Sequence, residues 1–341
     1  MYRGTAYRTN CPSGTPTVPD ELSPRYARSP RYGLRQKEFV IGLEGEVSKM
    51  MKRLIALMAA LMLPVCAAAE GVLAVPFAED APEYAAAEAV GDLLGRTVRS
   101  MPDMNGAEAV NAMLADPGTL LIDTQNALML SLQGYTSADC REAMRPVCRI
   151  GVQPLALVMN RDCAGTLGIA DYEGFAAYAA EHEYELLTAR YVDASVVDYA
   201  SWLIENALPV MSETCFDREE ALEALDSETL QFLVLPLGEV TEELLPLCTL
   251  GAERAAALPD LPCAGELGLP VCEGITLGIY ANAEMTPEEA DKIAEQIAAE
   301  AVPDELSPQY ASGEAFAEET ANAFAAYVDY MTAEGLFFYE Q

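Results

Sequence analysis

A single histidine, His182, stands in the 341 residues, so any Ser-His-Asp or Cys-His nucleophile would have to be built on it;. It follows Phe175 and Tyr178 at helical spacing, on the packed side of an Ala- and Tyr-bearing segment, and no nucleophile motif surrounds it. Enzymatic chemistry is therefore not expected. Carboxylate pairs carry no information in a chain with 54 acidic residues;. What remains is binding chemistry. Asp123, Thr124, Gln125 and Asn126 follow the apolar run Thr119 to Ile122. A polar turn at the carboxyl end of a buried strand is where open α/β sheets place their ligands. Phe77, Ala78, Glu79, Asp80 and Glu83 form a second such turn after the apolar run Gly71 to Pro76. Its three carboxylates permit two readings, selection of an amine-bearing or cationic ligand, or a solvated helix-capping edge. Phe77 suits a cleft wall or a core position.

The elements that must hold these turns alternate between strand and helix. Gly71 to Pro76 reads as a strand and Pro82 to Leu94 as an Ala-rich helix, with Asp80 and Glu83 at capping distance;. Thr97 to Arg99 and Thr119 to Ile122 are further strands around a helix at Gly106 to Leu114. Met144 to Asn160, interrupted by Gly151 and Pro154, reads as a strand that leaves one sheet and enters another. Helices at 172–182, 196–206 and 218–225 then alternate with strands at 184–189, 209–211 and 231–235, and Pro246 to Leu250 is expected to carry the chain back. Asp217 with Glu220, and Thr286-Pro287-Glu288-Glu289, are helix starts;. Trp202 reads as packing. The alternation argues for parallel sheets, and two long crossings argue for two lobes.

Residues 50–69 have the form of a secretory signal: Lys52 and Arg53, an apolar run from Leu54 to Val65, then Ala67 to Ala69 before Glu70, where the mature chain is expected to begin;. About a dozen apolar residues fall short of the roughly 20 a membrane helix needs. Export is the expectation, with a lipid anchor at Cys66 the lesser alternative because Val65 precedes the cysteine. Residues 1–49 are Pro-, Arg- and Tyr-rich and stand ahead of the signal at 50–69, so they read as a non-native or disordered extension. Val18 to Ala27 echoes Val302 to Ala311 with one change. Of the 20 basic and 54 acidic residues, 10 and 5 lie in residues 1–69, leaving 10 against 49 and a net charge of −39. Such a charge repels nucleic acid and anionic surfaces. The cysteines that follow the signal, at 140, 148, 163, 215, 248, 263 and 272, include no C-x-x-C pair, so no metal site and no cofactor is expected;. Disulfides and buried reduced thiols both fit them.

Several phrases together resemble one family, the Bug-type substrate receptors of tripartite tricarboxylate transporters. Val75-Pro76-Phe77 looks like its opening VPF. Ala115 to Leu121 (ADPGTLL) resembles its A-x-P-D-G-Y-T-L-L. Arg254 with Leu258-Pro259-Asp260-Leu261-Pro262 and Glu266-Leu267-Gly268 is similar to its R…LPDVPTxxExG. The resemblance implies a two-lobed periplasmic-binding-protein type II α/β fold, two mixed sheets flanked by helices with a hinge of crossing strands. Lobe 1 would take residues 70–150 and 251–341, and lobe 2 residues 151–250. It also implies a periplasmic, monomeric receptor that closes on a small organic acid and delivers it to membrane permease subunits.

The departures from the family pattern fall at the implied site. Its Gly-rich first loop is here Ala78 to Glu83, and a second such stretch has shrunk to Met104-Asn105-Gly106. Its G-S-x-G-x-G-S corresponds to Ala189 through Ser195, placing Arg190, Tyr191 and Ser195 there, and its H-V-P-Y-K-G to Glu213 through Arg218, placing Thr214. The Arg190 guanidinium could grip a carboxylate bidentately where glycine amides are gone, or be an ordinary surface arginine. A receptor-derived sensing module with a retuned pocket is the alternative function.

Overall fold

The computed structural model describes residues 71–336 apart from 80, 103–105, 192–194, 216 and 301–310. The extension, the signal segment, Cys66, Asp80 and nearly all of the C-terminal echo lie outside the described residues. Three short runs pair in parallel, β1 (Val72–Val75) lying between β2 (Thr97–Ser100) and β3 (Leu120–Asp123). Parallel neighbours need crossovers, and α1 (Pro82–Leu94) and α2 (Ala107–Ala115) supply them. Alternation splits the runs between two faces. Leu73, Val75, Leu120 and Ile122 pack on Val90 and on Ala294 and Ile297 of α10 (Pro287–Glu300). Ala74 and Leu121 join the other core, with Met113, Tyr280 and Phe316. Covered on both faces, β1 and β3 carry almost unbroken apolar sequence, whereas the edge strand β2 (TVRS) does not;. Residue 81, an alanine without a side-chain cap bond, is the N-cap of α1, and proline follows it. Proline's preset φ favours the first helical position without a capping side chain.

Two antiparallel strands complete the large sheet, β10 (Ile275–Asn282) against β3 and β4 (Met144–Gln153) against β10. With the short β11 (Ala311–Ser312) the order is β11-β4-β10-β3-β1-β2. The sheet is therefore mixed, as the resemblance implies, because β10, which returns from the other lobe, runs against β1, β2 and β3.

The first crossing sits at Pro154, which has no N–H to continue a ladder. β5 (Leu155–Asn160) resumes at once as the centre of an antiparallel sheet between β8 (Phe232–Pro236) and β9 (Leu244–Thr249). β9 is a third strand of this sheet and, running antiparallel to β5, leads the chain back toward the crossing, as expected of Pro246 to Leu250. β6 (Leu187–Tyr191) and β7 (Met211–Cys215) pair in parallel as a separate ribbon. The second lobe therefore holds two sheets where one was expected. Gln231 joins them, its N–H donating to the Leu187 carbonyl at 3.0 Å while its Oε1 accepts from Leu187 N–H at 2.9 Å. Both ribbon strands begin two or three residues later than their apolar runs suggested, which moves Arg190, Tyr191 and Thr214 from loop into strand.

The return passes beside the outward crossing. Leu250 N–H donates to the Leu155 carbonyl at 2.9 Å and Cys272 N–H to Leu250 at 2.8 Å. Gly274 follows with φ +117°, and a Cβ there would lie 2.3 Å from the Gln153 carbonyl oxygen. Only glycine lets the two crossings approach this closely. Gly274→Ala is expected to lower stability by about 1–3 kcal/mol, measured by urea unfolding; an unchanged midpoint would show that the crossings tolerate separation.

All seven described cysteines are free and buried, which answers the open choice in favour of packing. Burial pushes the thiols of Cys148 and Cys248 up to about 12 and those of Cys140 and Cys272 up to about 11. They pack as small apolar residues. The expected helix starts are formed. Asp217 accepts from Glu220 N–H at 3.0 Å, and Thr286 and Glu289 bond reciprocally. Thr286→Ala should cost about 1 kcal/mol, read from the chemical-denaturation midpoint. Among the described residues no helix is long and apolar enough to cross a membrane.

Candidate functional site

A turn that leaves a second-lobe strand lies against the outward crossing. On the first lobe, α1 begins with Glu83 in its first turn. On the second, β8 ends in a 3-10 turn, Leu237–Glu239, whose Leu237 N–H donates to the Pro154 carbonyl at 2.7 Å. A Cβ at Gly238 would stand 3.8 Å from Gln153 Nε2. Glu239 is thereby held at the edge of the hinge. Its carboxylate is ion-paired with Arg218, the first residue of α8 (Arg218–Asp226). Burial raises the Glu239 pKa most, Arg218 opposes, and Glu83 adds repulsion from the other lobe. The charges of Arg218 and Glu239 also act on Tyr191, whose buried phenol oxygen has no hydrogen-bond partner and whose pKa is raised chiefly by burial. Glu83, Tyr191, Arg218 and Glu239 are thus electrostatically coupled groups, with Arg218 and Glu239 in contact. Two of them, Glu83 and Tyr191, stood among the candidates. Arg218 entered only as the end of a motif and Glu239 not at all; its signal was a polar residue just beyond the apolar run 232–236.

Asp123 ends β3 with its side chain turned inward. The residue is 2% exposed, Oδ1 accepts from Thr124 N–H at 2.6 Å, and Oδ2 has no partner. Burial pushes its pKa up to about 8 against the opposing Thr124 bonds, so at neutral pH it is a carboxylic acid in the core. Thr124 Oγ1 accepts from Asn126 N–H at 3.3 Å at the start of α3 (Asn126–Leu132), and Asn126 is exposed. Gln125 is buried and spans to the return crossing, donating to the Gly274 carbonyl at 3.0 Å and accepting from Thr276 N–H at 2.6 Å. Of the four residues of this turn, Gln125 therefore fastens the hinge and Asp123 belongs to the interior. Gln125→Ala is expected to cost about 1–3 kcal/mol by stranding a buried N–H and carbonyl, measurable as a shift in melting temperature.

Arg190 is not a free fork. Its Nε and Nη2 donate to Asp198 at 2.8 and 3.1 Å, Nη1 to Glu205 at 3.2 Å and Nη2 to Glu334 at 3.4 Å. Its guanidinium also lies 5.7 Å from the ring centroid of Tyr330, on α11 (Gly313–Glu334). Burial lowers its pKa, but the bonds and charges of Asp198 and the charges of Tyr330 and Glu334 more than offset this and raise it. Ser195 caps α7 (Val196–Ala207), its Oγ accepting from Asp198 N–H at 3.1 Å. Thr214 is exposed on β7, in register with Arg190. Phe77 packs against the β1 core and its carbonyl accepts from Ser100 Oγ at 2.8 Å, while Ala78 and Glu79 are exposed.

Other sequence signals have structural employment. Arg254 bonds both oxygens of Glu266 at 2.8 Å and the Pro259 carbonyl at 3.0 Å, so the R…LPD…E phrase closes its own loop. His182 ends α6 (Tyr172–Glu181) with its ring stacked on Tyr178 at 4.3 Å. Trp202 packs against Tyr199 and Tyr330. Among the described residues no cluster of three His, Cys, Asp or Glu could hold a metal. A cavity of about 480 Å³ lies elsewhere, by Arg141, Arg145, Pro287 and Gly313, and shares no residue with the strand exits.

No family model and no curated protein matches the chain by sequence. Solved structures match it in fold. A TctC solute-binding protein from Polaromonas, without ligand, superposes with a TM-score of 0.61 at 17% identity, over 76% of this chain and 96% of that one. MatC from Rhodopseudomonas palustris, with bound malate, gives 0.55 at 17% identity over 76% and 98%. The periplasmic binding protein BugD gives 0.56 at 14% identity over 79% and 98%. The chain has the two-lobed α/β fold of the TctC and Bug solute-binding proteins.

Proposed function

We propose that this chain is an exported substrate-binding receptor of the tripartite tricarboxylate type, which captures a small organic acid or related polar metabolite by cleft closure and performs no chemistry on it. The observation that carries this reading is the pair of adjacent crossings at Pro154 and Gly274, with the Arg218–Glu239 ion pair of a second-lobe strand exit beside the outward one. Two lobes joined by two adjacent strands can hinge, and polar groups on facing rims then enclose whatever lies between. The fold shared with malate-bound MatC supports it. In this reading residues 50–69 direct export, the protein acts as a monomer, and its partners are membrane permease subunits.

One observation favours the second reading, a sensing module with a retuned pocket: Arg190 and Arg218 are both paired with the chain's own carboxylates. A thermal-shift screen of the purified protein against dicarboxylates, aromatic acids, amino acids and amines separates the two. A ligand at a hundredfold excess over its Kd stabilises by about 2.7 kcal/mol, and closure should shrink the radius of gyration in solution scattering. A panel that moves neither quantity would remove solute capture and leave sensing.

A further inference from the structure

We infer that the cavity beside Arg145, at the end of the first lobe away from the crossings, is a second ligand site. It takes an organic acid of about dipeptide size that carries a cationic group at its opposite end. The site is separate from the cleft and stands whether or not the receptor reading holds. It lies where β4 begins and β10 ends, and the ten residues of β4 put it roughly 30 Å from the crossing at Pro154;. Its walls come from the one-turn helix Cys140–Ala143, the start of β4 and the first turns of α10 and α11. They enclose about 480 Å³, a volume usual for small-molecule pockets;.

Charge is sorted by depth among the residues that line it. Arg145 is half-buried and fixed by two backbone carbonyls, Nε donating to Met285 at 2.8 Å and Nη2 to Ala283 at 3.4 Å. Among the described residues its Nη1 bonds no protein atom, and no carboxylate pairs with it. A partly desolvated cation without a counter-ion is costly, and a ligand carboxylate supplies one through charge-assisted bonds. Arg141, on the same wall, is already committed, with Nε 2.9 Å from Asp139 Oδ2 and its guanidinium 5.1 Å from the Phe324 ring centroid. Asp291 is likewise accounted for. No side chain caps α11 at Ser312, and Asp291 Oδ1 lies 3.0 Å from where a Cβ on Gly313 would stand, so this carboxylate offsets the positive end of that helix;. Met144 and Ala290 are buried and give the cavity an apolar floor beside Arg145. Glu142 and Glu314 are exposed and therefore stand at its mouth. An acid group on Arg145, an apolar body over Met144 and Ala290 and a cation between Glu142 and Glu314 satisfy all three zones. A second anionic group would meet the two carboxylates, and a second cation would meet Arg145.

The test is titration calorimetry of the purified protein with four blocked dipeptides: N-acetyl-Ala-Lys, its C-terminal amide, N-acetyl-Ala-norleucine and N-acetyl-Ala-Glu. The first bears one carboxylate and one ammonium; the others lose the carboxylate, lose the ammonium or replace it with a second carboxylate. N-acetyl-Ala-Lys is expected to bind at least tenfold more tightly than each of the other three. The Glu142→Gln/Glu314→Gln double variant changes only exposed side chains and should erase the preference over the norleucine peptide while keeping the wild-type melting temperature. Arg145→Gln should erase the preference over the amide. Because that change also loosens the tie to the Met285 carbonyl, Arg145→Lys is the companion variant, which keeps the charge and should keep the acid favoured. An amide, norleucine or glutamate peptide that binds as tightly as N-acetyl-Ala-Lys overturns the inference. An unchanged preference in the Glu142→Gln/Glu314→Gln variant overturns it too, since the peptide then binds somewhere other than this cavity. No heat from any of the four at millimolar concentration also overturns it and leaves the reading of the cleft untouched.

Discussion

Asp123→Asn should make the protein more stable, and increasingly so as the pH rises. The carboxyl is buried to 2% exposure with one oxygen unpartnered, and its pKa is pushed up from 3.8 to about 8. A folded state with the higher pKa binds more protons than the unfolded chain, so the group's contribution is fully present below about pH 4 and is lost as pH climbs toward 8. A rise of about four units corresponds to roughly 5 kcal/mol. The amide keeps the acceptor for Thr124 N–H and never ionises. The difference in unfolding free energy between variant and wild type should therefore grow by a few kcal/mol between pH 4 and 8, then level off. Because each comparison is made at one pH, the many other carboxylates cancel. Urea titrations across that range decide the matter; a flat difference would mean that Asp123 is solvated or charged in the folded protein.

The second large effect concerns Arg190, and it is structural before it is functional. Asp198 is 1% exposed and accepts from Arg190, from Tyr191 N–H at 2.8 Å and from the Tyr330 hydroxyl. Removing the guanidinium leaves a buried carboxylate without its counter-ion, which typically costs 3–5 kcal/mol. It also frees the end of α11, since Tyr330 and Glu334 both meet Arg190. Arg190→Ala is expected to lose about that much stability. Arg190→Lys should fall between, keeping the charge and losing the fork. The double change Arg190→Ala with Asp198→Asn should recover part of the loss, because the stranded charge is gone. Wild-type stability in Arg190→Ala, combined with lost affinity for a bound acid, would restore the ligand role that the sequence suggested.

That reversal shows where reading the sequence stops. Arg190 follows an apolar residue in a polar stretch, and nothing in the spacing tells that Asp198, Glu205 and Glu334, up to 144 residues away, will converge on it. The same holds for Gln125, polar and adjacent to a strand exit, which is spent on Gly274 and Thr276 some 150 residues further on. Arg218 and Glu239 meet because β8 turns back at the crossing, a geometry carried by one bond to the Pro154 carbonyl.

What the sequence by itself determined is the local order: the runs Val72–Val75, Leu120–Asp123 and Phe232–Pro236, the capped helices Arg218–Asp226 and Pro287–Glu300, and a break between sheets at Pro154. Propensity, capping and two-sided burial act over a few residues, so a few residues reveal them. The tertiary structure alone decided that the second lobe splits into an antiparallel sheet and a parallel ribbon, that Asp123 points into the core, and which carboxylate takes which guanidinium. Those outcomes depend on desolvation and on charges brought together by chain reversal, quantities that do not exist until the distant segments touch.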